Sequence, residues 1–286
     1  MEKTETSVGK IKDHITETSQ LPRVVAVTSG KGGVGKTNVV ANLAVSLSAS
    51  GKSVLVLDAD LGLGNIDVLF GMIPKYTLEH VVLGEKTLNE VIIPGPCGIK
   101  ILPTSSGTED LTHLTSEQKL VLLGEIDRLE TPVDIFLIDT GAGISSNVLY
   151  FNTVAQDIIV VASPEPTSVT DAYAIMKVLS THHGEKRFRL LVNMVENERE
   201  AKEVFHKLTL VSDKFLDIAI DYLSYIPRDD YLRKAVCQQK AVVDLYPTST
   251  SSLQFNKVAK EIIRWPVQDI PKGNVQFMWK KLLMPE

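Results

Sequence analysis

The chain has 286 residues, 44% of them hydrophobic, enough to bury one large α/β core without requiring two domains. Its 30 basic against 35 acidic residues leave a net charge of −5, which argues against a general nucleic-acid binder. Cys97 and Cys237 stand far apart and form neither a disulfide framework nor a CxxC metal motif, so a reducing cytoplasm is the expected compartment.

Residues 1–21 read as a flexible polar extension, mixed in charge and unlike a signal peptide. An α/β domain is expected over residues 22–270. Apolar, β-branched runs predict strands over Arg23–Ser29, Ser53–Asp58, Ile99–Pro103, Asp134–Asp139, Asp157–Ala162, Arg187–Asn193 and Ile218–Ile226. Between them, helical spacing predicts helices over Lys36–Ser50, Ser116–Glu130, Ser168–Ser180, Glu198–Ser212 and Ser252–Arg264. Ser116 with Glu117 is an expected N-cap region, and Pro164-Glu165-Pro166 reads as a rigid turn. Val54–Leu57 and Ile135–Ile138 are wholly apolar, as strands buried on both faces of a parallel sheet are. The expected fold is therefore a doubly wound, mostly parallel sheet flanked by helices, with ligands at the carboxyl ends of its strands. No apolar stretch reaches the ~20 residues of a membrane span.

Between the first strand and the first helix lies Gly30-Lys31-Gly32-Gly33-Val34-Gly35-Lys36-Thr37, which satisfies the phosphate-loop pattern G-x-x-x-x-G-K-[ST]. At such a junction, backbone amides and the helix dipole can hold phosphate oxygens. Lys36 would reach the β- and γ-phosphates, and the Thr37 hydroxyl would ligate Mg²⁺. A Gly-rich turn without a ligand is the bland alternative. Two strands then end in acid: Asp58-Ala59-Asp60 after one, Asp139-Thr140-Gly141 after the other. A carboxylate at the tip of an apolar strand needs a cation or hydrogen-bond donors, and beside a phosphate loop Mg²⁺ and its waters suit. Capping of the following loops is the other reading for each aspartate.

Taken together, the loop with its additional Lys31, Asp58-x-Asp60 followed by Gly62 and Asn65, and Asp139-x-Gly141 resemble the deviant Walker A ATPases of the MinD/ParA class. The resemblance covers roughly residues 22–265 and implies a P-loop NTPase fold that binds ATP and Mg²⁺. It implies that Lys31 crosses a homodimer interface to the partner's ATP, as an arginine finger does, while Lys36 acts within its own subunit. Asp60 would position the attacking water, and Asp58 and Asp139 would hold Mg²⁺ together with Thr37. Asn65 and Gly141 would belong to the segments that sense the γ-phosphate, and Asn38 would close the phosphate cradle. Asn193 and Pro227-Arg228-Asp229 occupy positions where this fold usually contacts adenine, although Asn193 could equally close a turn. The segments Ser163–Tyr173 and Ile226–Asp230 are similar to the FlhG branch (also called FleN or YlxH), which controls the number and placement of bacterial flagella. That branch often carries an N-terminal motif that stimulates the GTPase FlhF; the motif is not found in Met1–Pro22. A flagellar basal-body partner or FlhF remains an expectation of the resemblance, with a MinD-type division-site role and a ParA-type DNA-partitioning role as alternatives. No specific nucleic acid is expected, since Lys186, Arg187 and Arg189 with His182 and His183 form only a modest basic cluster.

The C-terminal residues 271–286 complete the sequence. On a helix, Val275, Met278, Trp279, Leu282 and Leu283 form one apolar arc, with Phe277 between Lys280 and Lys281. Tryptophan flanked by lysines suits an amphipathic helix lying in a membrane interface, and the family ends in a similar membrane-targeting helix. Packing on the protein's own core is the alternative. The expected location is cytoplasmic, peripheral on the inner face of the cell membrane.

Overall fold

The computed structural model describes residues 22–61, 63–104, 114–129 and 132–266. The predicted N-terminal extension, Gly62 and the predicted membrane segment with Val275, Phe277, Met278, Trp279, Leu282 and Leu283 lie outside the described residues. In chain order the elements are β1 (Arg23–Ser29), α1 (Lys36–Ala49), β2 (Val54–Ala59), α2 (Ile66–Leu69), α3 (Leu78–Val82), α4 (Leu88–Val91), β3 (Ile93–Pro94), β4 (Lys100–Leu102) and α5 (Ser116–Asp127). Then follow β5 (Ile135–Ala142), α6 (Ser146–Thr153), β6 (Asp157–Ala162), α7 (Pro166–His183), β7 (Arg187–Val195) and α8 (Glu198–Phe215). The last are β8 (Ala219–Pro227), α9 (Asp230–Cys237), α10 (Val242–Leu245) and α11 (Thr250–Arg264).

The strands form one sheet in the order β3-β4-β2-β5-β1-β6-β7-β8. Every pairing is parallel except the short β3–β4 ladder at one edge. The two-residue period of a strand divides the core into layers. Val25 and Val27 of β1 pack with Val39, Leu43, Phe255 and Ile262 from α1 and α11. Val24 and Ala26 face the opposite way, onto Leu122, Ile126 and Phe151 of α5 and α6. Helices α7 and α8 extend that second layer over β6 and β7. Helix α1 is buried all round from Val39 to Leu47 because it is enclosed between the sheet and α11.

At the amino ends of the strands, buried Asp157 accepts from Arg23 (2.8 Å) and from Arg189. Arg189 lies 3.8 Å from the centre of the Trp265 ring, and Arg23 Nη2 donates to the Trp265 carbonyl (2.9 Å). These contacts tie the end of α11 to β1, β6 and β7. Arg187 pairs with Asp221 and Lys186 with Asp217, so the basic cluster around β7 is internally neutralised.

The predicted strands and helices are all present, with ends displaced by up to about three residues. Elements that the sequence reading lacks are the short ones: α2, α3, α4, α6, α9, α10 and β3. The cap of α5 is Thr115, in a reciprocal capping box with Gln118, and not Ser116. Pro164-Glu165-Pro166 is the entry to α7, with Pro166 at the first helical position, where its missing N–H costs nothing.

Candidate functional site

Parallel pairing brings the carboxyl ends of β1, β2 and β5 together, and the loops that leave them build one cavity. After β1 the chain turns through Gly33 (φ 80°) and Gly35 (φ 83°), and α1 begins at Lys36 with no side-chain cap. The first helical bond runs from the Val39 amide to the Gly35 carbonyl, leaving the amides of Lys36, Thr37 and Asn38 directed outward at the dipole's positive end. The glycines are required. A Cβ on Gly30 would lie 2.0 Å from the Asp171 carbonyl oxygen, and one on Gly35 would lie 2.4 Å from Asn193 Nδ2.

The resulting cavity has a volume of about 530 Å³, within the range of small-molecule sites. Its wall contains Lys31, Gly32, Gly33, Val34, Gly35, Lys36, Thr37 and Asn38, with Asp60 and Asn65 opposite. Asp58 and Asp139 lie beneath it as register partners on β2 and β5, both buried. Lys36 Nζ donates to Asp139 Oδ1 (2.5 Å), and the Thr37 side chain also bonds Asp139. Asp58 receives the amides of Asn65 (2.7 Å) and Ile66 (3.0 Å) on one oxygen and that of Asp60 (3.2 Å) on the other. The carboxylate at the end of β2 thereby fixes the start of α2. Gly141 sits beside Asp60, where an added Cβ would be 3.5 Å from Asp60 Oδ1.

Charge in this floor is unbalanced. Burial, and next the neighbouring Asp139, push the Asp58 carboxyl up to about 7, although three backbone amides oppose the rise. Burial also raises Asp139, against the pull of Lys36 and Thr37. Two buried carboxylates thus adjoin one buried lysine, which bonds Asp139, and a further cation would relieve both. Among the described residues no three acid, histidine or cysteine side chains cluster as a complete metal cage. That donor set suits Mg²⁺, which takes one or two protein ligands and fills its remaining positions with phosphate and water. The phosphate cradle, the free amides and this charge deficit therefore fit a Mg-nucleotide.

Lys31 is half-buried on the cavity rim. Its Nζ donates to Glu165 Oε2 (2.6 Å) and Thr167 Oγ1 (2.9 Å) at the start of α7, and this partnership holds the Glu165 carboxyl below its ordinary range.

The other end of the cavity differs from the sequence expectation. Asn193 Nδ2 donates to the Val34 carbonyl (2.8 Å), so Asn193 braces the phosphate loop from behind; its buried Oδ1 accepts from nothing among the described residues. The cavity wall itself uses the next residue, Met194, together with Val68, Leu69, Val236 and Gln239. Pro227, Arg228 and Asp229 are not part of that wall. Arg228 Nε donates to the Met194 carbonyl (3.0 Å). Asp229 caps α9 through the Tyr231 amide (2.9 Å) and receives the Ser251 amide (2.9 Å), its hydroxyl (2.7 Å) and the Thr250 hydroxyl (3.0 Å) from α11. Met194 (φ 60°) and Gln239 (φ 54°) both hold left-handed backbone, which is uncommon for such residues and concentrates at functional sites. No sequence pattern marks either one.

Comparison with known proteins agrees with this geometry. The CobQ/CobB/MinD/ParA nucleotide binding domain matches residues 25–242. The chain is 45% identical to the antiactivator FleN of Pseudomonas aeruginosa over 91% of its own length and 93% of that protein's. It is 32% identical to the flagellum site-determining protein YlxH of Helicobacter pylori, over 91% and 90%. Among solved structures, the septum site-determining protein MinD of Pyrococcus horikoshii, complexed with Mg-ADP, aligns over 85% of this chain and 97% of that one (TM-score 0.68, 26% identity). The family model spans the phosphate loop and both acid-tipped strands, and the chain belongs to the MinD/ParA family of nucleotide-binding P-loop proteins.

Proposed function

We propose that the protein is a Mg-dependent ATPase that dimerises with ATP, binds the membrane reversibly, and regulates the number and placement of flagella. The observation that carries the chemistry is the row of free α1 amides above the buried Lys36–Asp139–Asp58 floor: amides and one lysine for the phosphates, and an excess of carboxylate for Mg²⁺. Lys36 bonds Asp139 within the fold and supplies the phosphate-facing charge on exchanging that partner. Thr37, Asp58 and Asp139 would hold Mg²⁺, which when bound neutralises charge on the β- and γ-phosphates. Asp60, half-buried at the rim, orients a water towards the γ-phosphate; the water's oxygen bonds phosphorus as the bond to the ADP oxygen breaks.

Lys31 belongs to the dimer part of the reading. It ends on the rim among exposed partners, Glu165 and Thr167, and not in the cavity floor, so it is free to exchange them for a phosphate of a second subunit. The flagellar role draws on the similarity to FleN and YlxH over nine-tenths of the chain. A MinD-type division-site role uses the same chemistry with another partner. The membrane step rests on the amphipathic pattern of Val275–Leu283, two copies of which on a dimer bind by avidity. A cytoplasmic protein peripheral to the inner membrane face follows from the same reading. The test is affinity capture from a flagellated host with Asp60→Ala, in ATP and with crosslinking. Flagellar export, basal-body or FlhF partners would support the reading; division-site partners alone would replace the flagellar role with the MinD-type one.

A further inference from the structure

The geometry points to Gln239 as a positioning residue that clamps the switch helix α2 to the far wall of the nucleotide cavity. Gln239 sits just past the end of α9, at the position where a left-handed backbone closes a helix and where glycine is the cheapest occupant. The Gln239 amide bonds the Val236 carbonyl (2.9 Å) and the Lys240 amide bonds the Ala235 carbonyl (3.1 Å), so the turn is tight. A glutamine there holds a strained backbone, and its side chain supplies a contact that glycine could not make.

That contact joins two elements of the cavity wall. Gln239 Nε2 donates to the carbonyl of Val68 in α2 (2.8 Å), across 171 residues of sequence. The turn that ends α2 is Gly71 (φ 63°), and a Cβ there would lie 3.2 Å from Gln239 Oε1, so the two turns are packed together. The other end of α2 is held by Asp58, which receives the amides of Asn65 and Ile66. Helix α2 is only four residues long and cannot hold itself in place. It is pinned at its start by the carboxylate of the phosphate floor and at its end by a glutamine on the opposite wall. Asn65 and Asp60 line the cavity at the start of this pinned segment. Gln239 therefore sets the position of the residues that face the γ-phosphate without touching it.

This inference rests on the ATPase reading only for its catalytic consequence; the clamp itself is separable. Two variants of the full chain test it. Gln239→Gly relieves the backbone strain and removes the side chain, so its melting temperature should equal or exceed that of the parent. Gln239→Glu keeps the size but presents only acceptors to the Val68 carbonyl. Without nucleotide, amides of residues 66–71 should exchange with deuterium about five- to tenfold faster in both variants, the loss expected for one hydrogen bond and its packing. At saturating ATP, kcat should fall by a larger factor than KM rises. Unchanged exchange at residues 66–71 in both variants would overturn the clamp. Faster exchange with unchanged kcat would leave a structural tie only and overturn the positioning role. If the parent protein hydrolyses no ATP, the proposed activity fails, and the exchange comparison still decides the clamp.

Discussion

Lys31 and Lys36 are five residues apart in one loop, and their surroundings set them different tasks. Lys36 is buried against Asp139, whereas Lys31 stands on the rim with two exposed partners. Lys36→Ala should abolish nucleotide binding, because it strips the floor of its only buried cation among the described residues. Lys31→Ala should retain binding within a few-fold, and titration with a fluorescent ADP analogue separates the two. Asp58 adds a pH signature. Its carboxyl rises from an ordinary 3.8 to about 7, so between those values the folded protein holds a proton that the unfolded chain has released. The stability this group contributes is complete below 3.8 and is lost as pH rises through about 7. Asp58→Asn should therefore flatten the decline in the melting temperature of the ligand-free protein across that window; curves that stay parallel would contradict the assignment. Asp229 behaves oppositely: burial raises its carboxyl, but bonds from Ser251, Tyr231 and Thr250 outweigh that and hold it low. Asp229→Ala should cost about 1–2 kcal/mol of stability, as lost helix caps do, with ADP affinity unchanged. A large loss of ADP affinity at full stability would return Asp229 to the adenine site.

At the scale of elements, legibility followed length and period. β1, β2, β5 and β6 each contain an unbroken apolar run of four or five residues because both faces of the sheet are covered, and such runs stand out in a sequence. Helices of four or five residues, such as α2 and α10, are too short to show a 3.6-residue period. Helix α6 was hidden because its buried Asn147 and Asn152 break the apolar stripe; Asn152 donates to the Val148 carbonyl (2.7 Å) within the helix. The phosphate half of the site was readable because one local motif holds it. The far wall was not, since Met194, Val236 and Gln239 come from β7 and the α9 region and meet Val68 only in the fold. One contact between elements is testable directly. Gly30 lies against the backbone of Asp171 in α7, where neither side can yield cheaply. Gly30→Ala should destabilise the protein by about 1–3 kcal/mol through overpacking and weaken nucleotide binding with it. A fully stable Gly30→Ala protein, by calorimetry, would mean the loop moves away from α7 freely.

The whole molecule is a sheet whose two ends do different work. At the amino ends of the strands, Asp157, Arg23, Arg189 and Trp265 lock α11 to the sheet. At the carboxyl ends lie the residues proposed to meet nucleotide, on the phosphate loop, the first turn of α1 and the tips of β2 and β5. The sequence continues beyond Pro266 into the Val275–Leu283 segment. Removing the residues after Gly273 should abolish co-sedimentation with anionic liposomes in ATP while leaving ADP binding and the melting temperature unchanged. Unfolding on truncation would assign the segment to the core instead. The central claim, that two subunits complete each active site through Lys31, is met most directly by the rate of Mg-ATP hydrolysis per subunit as protein concentration rises. The expected rate climbs and then saturates with concentration, and collapses in Lys31→Ala despite retained nucleotide binding. A rate independent of concentration, with Lys31→Ala as active as the parent, would contradict it.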